Sequence, residues 1–96
     1  MEILIAYDVS TETNAGKRRL RRVALACQAF GQRVQKSVFE CNLGPEHWVI
    51  LRDQLLAIID PAEDSLRCYH LHEDARKRIE HYGKNEAVDL EGPLIV

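Results

Sequence analysis

A run of apolar residues, Ile3-Leu4-Ile5-Ala6-Tyr7, closes on Asp8-Val9-Ser10 and is soon followed by the basic stretch Lys17-Arg18-Arg19-Leu20-Arg21-Arg22. A near-continuous apolar run with β-branched members reads as a central strand over residues 2–9, buried on both faces. That strand commits the chain to a sheet-based fold. An acid stands where it emerges. A carboxylate suited to a divalent cation is thereby set close to charges suited to phosphates, and the pairing points to nucleic acid.

The remaining pattern supplies the other layers. Thr11 to Gly16 is polar and turn-like, and Thr13 or Asn14 can cap the helix that follows. That helix runs to about Phe30 and stops at Gly31, a frequent residue just past a helix C-terminus. Leu20, Val23, Ala24, Cys27 and Phe30 share one arc, and Lys17, Arg18, Arg21 and Arg22 fall on the opposite arc. Arg19 lies near the boundary. Gln32 to Leu43 is β-rich, and a break near Lys36-Ser37 could divide it into two short paired strands. Pro45 opens a second helix through Trp48, Leu51, Leu55, Ile58 and Ile59, and Asp60-Pro61 ends it. Leu66 to Leu71 alternates as another strand, with Leu66, Cys68 and His70 on one face. This order predicts an α+β ferredoxin-like βαββαβ sandwich over residues 1–83, with both helices on one face of an antiparallel sheet. Residues 72–83 are charged and end at Gly83. The tail, residues 84–96, finishes Gly92-Pro93-Leu94-Ile95-Val96. Its burial is simplest as a short extra C-terminal strand added to the sheet edge of a second protomer, making a homodimer.

A chain of 96 residues has room for one small core, which would gain from dimerisation. The net charge of −2 conceals an uneven distribution: Thr13 to Phe39 holds seven basic residues and no acid, and Glu40 onward holds twelve acids and six bases. The near-neutral balance therefore does not exclude a basic, nucleic-acid-binding face. Cys27, Cys41 and Cys68 are odd in number and lack a CxxC spacing, which argues against a disulfide framework or zinc knuckle. They read as small core residues in a reducing cytoplasm. No apolar run approaches the ~18–20 residues of a membrane span, and the N-terminus lacks a signal-peptide layout.

Cations near a helix N-terminus oppose its macrodipole, by about 0.3–1 kcal/mol each where exposed. Lys17, Arg18, Arg19, Arg21 and Arg22 together form a local conflict of the kind expected at functional sites. A phosphate would relieve it through free backbone N–H groups and guanidinium forks. The alternative is a solvated surface face. No base-reading signature is present, so contact would be mostly sequence-independent. Asp8 is suited to Mg²⁺ or another divalent cation, with waters and substrate oxygens completing the shell. One aspartate is a poor site alone, and two copies across a dimer axis, or one copy plus a phosphate, would serve better. The alternative is that Asp8 caps the following loop or pairs with a nearby arginine. His47, His70, His72 and His81 match no zinc spacing and read as surface residues. Trp48 reads as core. No serine or cysteine has a histidine and acid at triad spacing, and there is no glycine-rich phosphate loop or dinucleotide fingerprint.

Tyr7-Asp8-Val9-Ser10, the Lys17–Val23 helix start, Gln32-Arg33-Val34-Gln35-Lys36-Ser37-Val38-Phe39-Glu40-Cys41 and Asp64-Ser65-Leu66-Arg67 resemble the CRISPR-associated Cas2 family, the small dimeric partner of the spacer integrase. The likeness spans roughly residues 1–83, and the tail from Val88 to Val96 resembles the ending of the I-C subtype. The resemblance implies a ferredoxin-like homodimer whose C-terminal strands pack on the partner's sheet. It also implies a magnesium-dependent endonuclease acting on RNA or double-stranded DNA, and a scaffold on which integrase dimers hold new spacer DNA. The family's metal-binding aspartate maps onto Asp8, and Tyr7, Lys17, Arg19, Arg33 and Phe39 align with positions linked to substrate or activity. Two departures stand out. Lys17 occupies a position where arginine occurs, and Lys36 one often held by an aromatic residue. A cysteine pair found near residues 72–75 in some members is absent.

Two functions compete on this reading. One is an endonuclease with paired Asp8 residues holding Mg²⁺. The other is a non-catalytic scaffold gripping a duplex backbone. A ferredoxin-like ribonuclease toxin of a toxin–antitoxin pair shares the fold and size, and a regulatory small-molecule domain is a more distant alternative.

Overall fold

Alternation along the first strand decides which surface the helices cover. The computed structural model describes residues 1–72 and 79–84. Within them, β1 (Glu2–Asp8) leads into α1 (Asn14–Phe30), then β2 (Gln32–Gln35), β3 (Val38–Asn42), α2 (Pro45–Ile58), β4 (Ser65–His70) and β5 (Ile79–Gly83). Ile3, Ile5 and Tyr7 point to the helices and are 1%, 0% and 6% exposed, whereas Leu4 and Ala6 on the other face are only half-buried. The expected burial on both faces thus holds fully for one of them. Among the described residues no second layer covers the open face.

The sheet order is β2-β3-β1-β4-β5, with each neighbouring pair antiparallel. The first four strands in this order make the ferredoxin-like arrangement, with β1 central as its apolar run requires. The break at Lys36-Ser37 separates β2 from β3, and the hairpin register shifts between Arg33 and Gln35. The fifth strand adds to the β4 edge from within the segment that reads only as charged in the sequence. The strand expected from the tail lies in residues 85–96, outside the described residues.

Thr13, rather than Asn14, caps α1, its Oγ1 accepting from Gly16 N at 3.0 Å. Val23 and Cys27 are fully buried, with Leu20, Ala24 and Phe30 packed against them, as the apolar arc predicts. Gly31 follows the helix in extended backbone, not in the left-handed conformation usual past a helix end. Glycine is needed there for space: a Cβ would collide with Glu40 O and Cys41 Sγ of β3. From α2, Trp48, Leu51 and Leu55 complete the core against Phe39, Leu66 and Cys68. Burial pushes the Cys27 thiol up to about 12 and Cys41 up to about 11, and raises Cys68 as well. These cysteines are inert packing residues. His70 is likewise core, contrary to the surface reading: it is 7% exposed, meets the Trp48 ring edge-on and bonds Glu80 through Nε2.

Candidate nucleic-acid interface

Two consecutive residues at the end of β1 serve opposite faces. Tyr7 turns inward and Asp8 turns out to solvent, because successive strand side chains alternate. The Tyr7 ring stacks on Phe39 with centroids 6.2 Å apart, and the Arg33 guanidinium lies 5.1 Å from the centre of the Phe39 ring. This aromatic stack sets Arg33 against the phenol. Burial raises the Tyr7 hydroxyl above its ordinary pKa, with Arg33 acting in the opposite direction. Arg33 nevertheless falls short of hydrogen-bond geometry, and the buried Tyr7 hydroxyl has no partner among the described residues. An unsatisfied buried hydroxyl costs about 1–3 kcal/mol, so a polar group that reached it would be favourably bound.

Tyr7 borders a cleft of about 370 Å³ between α1 and the β2–β3 hairpin. Lys17 and Arg21, one helical turn apart, line it from α1, and Arg33 and Lys36 line it from the hairpin. Leu20 and Ala24 form an apolar wall. None of these four cations forms an ion pair among the described residues. Arg18 and Arg22 are exposed and equally unpaired, and they extend the basic face around the helix outside the cleft. The phosphate-seeking charge therefore faces the hairpin from the side of α1, not from its N-terminal end, where Thr13 already takes one backbone donor.

Arg19 departs from this group. It lies four residues before the buried Val23, on the same face, and points inward. Its Nε donates to Asp64 Oδ2 at 2.8 Å and a terminal nitrogen reaches Oδ1 at 3.3 Å. The expectation that Arg19 adds to the phosphate-facing cluster is corrected on that ground: its guanidinium is engaged within the fold. Asp64 is fully buried and also accepts from Ser10 N at 3.1 Å and Asp60 N at 2.8 Å. Burial alone would raise its pKa. The Arg19 bonds and the two amides outweigh that and hold it below the usual carboxylate range. Sequence reasoning assigned Asp64 no role, because its donors come from as far as 54 residues away.

Asp8 itself is exposed, and its carboxylate has no hydrogen-bond or ion-pair partner among the described residues. The loop-tying and arginine-pairing roles open to it on sequence are filled by Asp64. Among the described residues no three His, Cys, Asp or Glu side chains converge on a metal position. Asp8 thus belongs to no cluster of three such groups among the described residues.

Comparison with known proteins follows the same line. The family model described as CRISPR associated protein Cas2 matches residues 1–79. The chain is 57% identical over 96 residues, the full length of both proteins, to the CRISPR-associated endoribonuclease Cas2 of Chlorobaculum tepidum. It is 47% identical over 95 residues, 99% of each protein, to the CRISPR-associated endonuclease Cas2 of Halalkalibacterium halodurans. Its fold superposes on the crystal structure of Streptococcus pyogenes Cas2 at pH 6.5 with a TM-score of 0.70 and 48% identity, covering 86% of this chain and 100% of that one.

Proposed function

The chain belongs to the Cas2 family of CRISPR-associated proteins, and from that premise we propose that it is a nuclease of CRISPR adaptation acting on RNA or double-stranded DNA as a homodimer. One observation carries the reading: the end of β1 presents Tyr7 to a cleft lined by four cations without ion pairs among the described residues and, on the opposite face, the exposed Asp8 carboxylate. Phosphates of the nucleic-acid backbone enter the cleft, where Lys17, Arg21, Arg33 and Lys36 neutralise them and Tyr7 donates its hydroxyl. Arg18 and Arg22 extend this contact. None of these groups reads a base, so binding is sequence-independent.

The half-buried open face, with Leu4 and Ala6, supports association of two copies. An Asp8 carboxylate from each, with phosphate oxygens, suits Mg²⁺ or another divalent cation. Such an ion would supply Lewis-acid stabilisation of charge on the phosphate. The absence of a three-ligand cluster around Asp8 among the described residues also favours a second reading, a DNA-gripping scaffold for the CRISPR integrase in which Asp8 is dispensable. The family assignment takes the place of the ribonuclease-toxin alternative.

An Asp8→Asn variant separates the two. On the nuclease reading it binds a labelled duplex and a labelled RNA as wild type does and loses divalent-dependent cleavage. Unchanged cleavage by this variant would overturn the role given to Asp8. Unchanged spacer capture in cells, with cleavage lost, would assign the physiological role to the scaffold.

A further inference from the structure

On the open face of the sheet, Ser65 stands beside Asp8. The two are register partners across β1 and β4, and Ser65 pairs in turn with Gly83 of β5. In the next row the partners are Ala6, Arg67 and His81. Ser65 Oγ lies 3.2 Å from His81 Nε2, a diagonal contact between side chains of adjacent strands. Sequence spacing concealed this pair, because the two residues are 16 positions apart and meet only through the sheet.

The ring is oriented without being consumed. With Nε2–H donating to Ser65 Oγ, Nδ1 keeps a free lone pair, and no described residue bonds it. The charged groups in the rows facing the ring are Arg67 on β4 and Asp8 on β1. Glu80 and Tyr82 of the same strand turn to the helix face, where Glu80 is held by His70, Tyr82 and Arg52. His70 is enclosed and paired with a carboxylate, whereas His81 is half-exposed and has none. The pair also lies at the end of the sheet where Asp8 emerges, Ser65 on β4 and His81 on the edge strand β5.

We propose that His81 is a catalytic residue of this chain, the general base of phosphodiester hydrolysis, with Ser65 orienting its ring. The assignment rests on the nuclease reading and adds the base which that reading lacks. A backbone held in the cleft at the β2–β3 side and running on over the end of β1 past Asp8 presents a further phosphate beside Ser65 and β5. Water oxygen bonds to phosphorus as its proton passes to Nδ1, and the P–O3′ bond breaks. The leaving O3′ takes a proton from solvent, and the imidazolium later returns its own to solvent. One water is consumed, leaving a 5′-phosphate and a 3′-hydroxyl. Positioned general bases contribute about 10²–10⁴ in rate.

The experiment compares wild type, His81→Gln and Ser65→Ala on labelled RNA and labelled duplex from about pH 5.5 to 8.5, where histidines titrate. Binding is measured by fluorescence anisotropy on the same substrates. His81→Gln keeps a hydrogen-bonding group beside Ser65 and cannot titrate. Expected is a rate loss of about 100-fold or more with binding unchanged, together with disappearance of the acid limb of the rate profile. Ser65→Ala keeps an acid limb but shifts it. If His81→Gln proves unstable, His81→Ala with added imidazole takes its place: restored cleavage supports the assignment, and none overturns it. Wild-type rate and profile in His81→Gln would remove His81 alone and leave the nuclease reading standing. No cleavage by wild type itself would remove both.

Discussion

Replacing Asp64 with asparagine tests how the end of β1 is held. The carboxylate is fully buried, Oδ1 accepting from Ser10 N and an Arg19 terminal nitrogen, Oδ2 from Asp60 N and Arg19 Nε. Whichever way an amide is turned at this position, its NH₂ faces two N–H donors. Two donors then lose their acceptor at about 1.5 kcal/mol each, or about 3 kcal/mol in all. A domain of this size has roughly 5–14 kcal/mol to lose, so the variant folds but is weakened. At about 4–8 °C per kcal/mol, the melting temperature falls by roughly 12–24 °C at neutral pH. The pH dependence follows from the depressed pKa of Asp64. The unfolded chain binds this proton more tightly than the folded one, so stability rises with pH. The contribution is complete above the ordinary aspartate value of about 3.9 and is lost as pH falls through the lower folded value. Melting curves at fixed protein concentration should therefore separate the two proteins most above about pH 5 and draw together in acid. A variant melting within about 2 °C of wild type at neutral pH, or a gap that stays constant into acid, would refute the account of Asp64 as the buried acceptor.

Other perturbations isolate other parts. Tyr7→Phe removes a hydroxyl with no partner, so thermal stability should hold or rise while affinity for a phosphorylated oligonucleotide falls severalfold in a binding titration. Reversing charge at Arg18 and Arg22 should weaken duplex binding and flatten the slope of log affinity against log salt, read by anisotropy across a salt series. Gly31→Ala places a Cβ against Glu40 O and Cys41 Sγ. It should cost more than the few tenths of a kcal/mol typical of surface changes, and denaturant titration would register it.

Most of the framework is legible because it rests on local patterns. The apolar run of β1, the Thr13 cap, the Pro45 start and the alternation of β4 each leave a periodic or punctuating mark. β5 leaves none. Ile79 and His81 share one face, and Glu80 and Tyr82 the other, so each face mixes one apolar with one polar residue and no period-two signal survives. Arg19 was grouped by charge, although its offset from Val23 puts it on the inward face. Asp64 and the Ser65–His81 pair depend on contacts between distant segments. For them, residue type alone carries no directional information. The glycine after α1 was placed correctly for a different physical reason, space and not backbone conformation.

Just after β5 the Lys84 amide donates to the backbone carbonyl of Asp64 at 2.6 Å. The same residue grips Ser10, two positions beyond Asp8, through its side chain. A displacement of β5 at Lys84 is therefore passed through Asp64 to Ser10, close to the exposed Asp8 carboxylate. Tension on β5 and alignment at the β1 terminus are two readings of one mechanical joint.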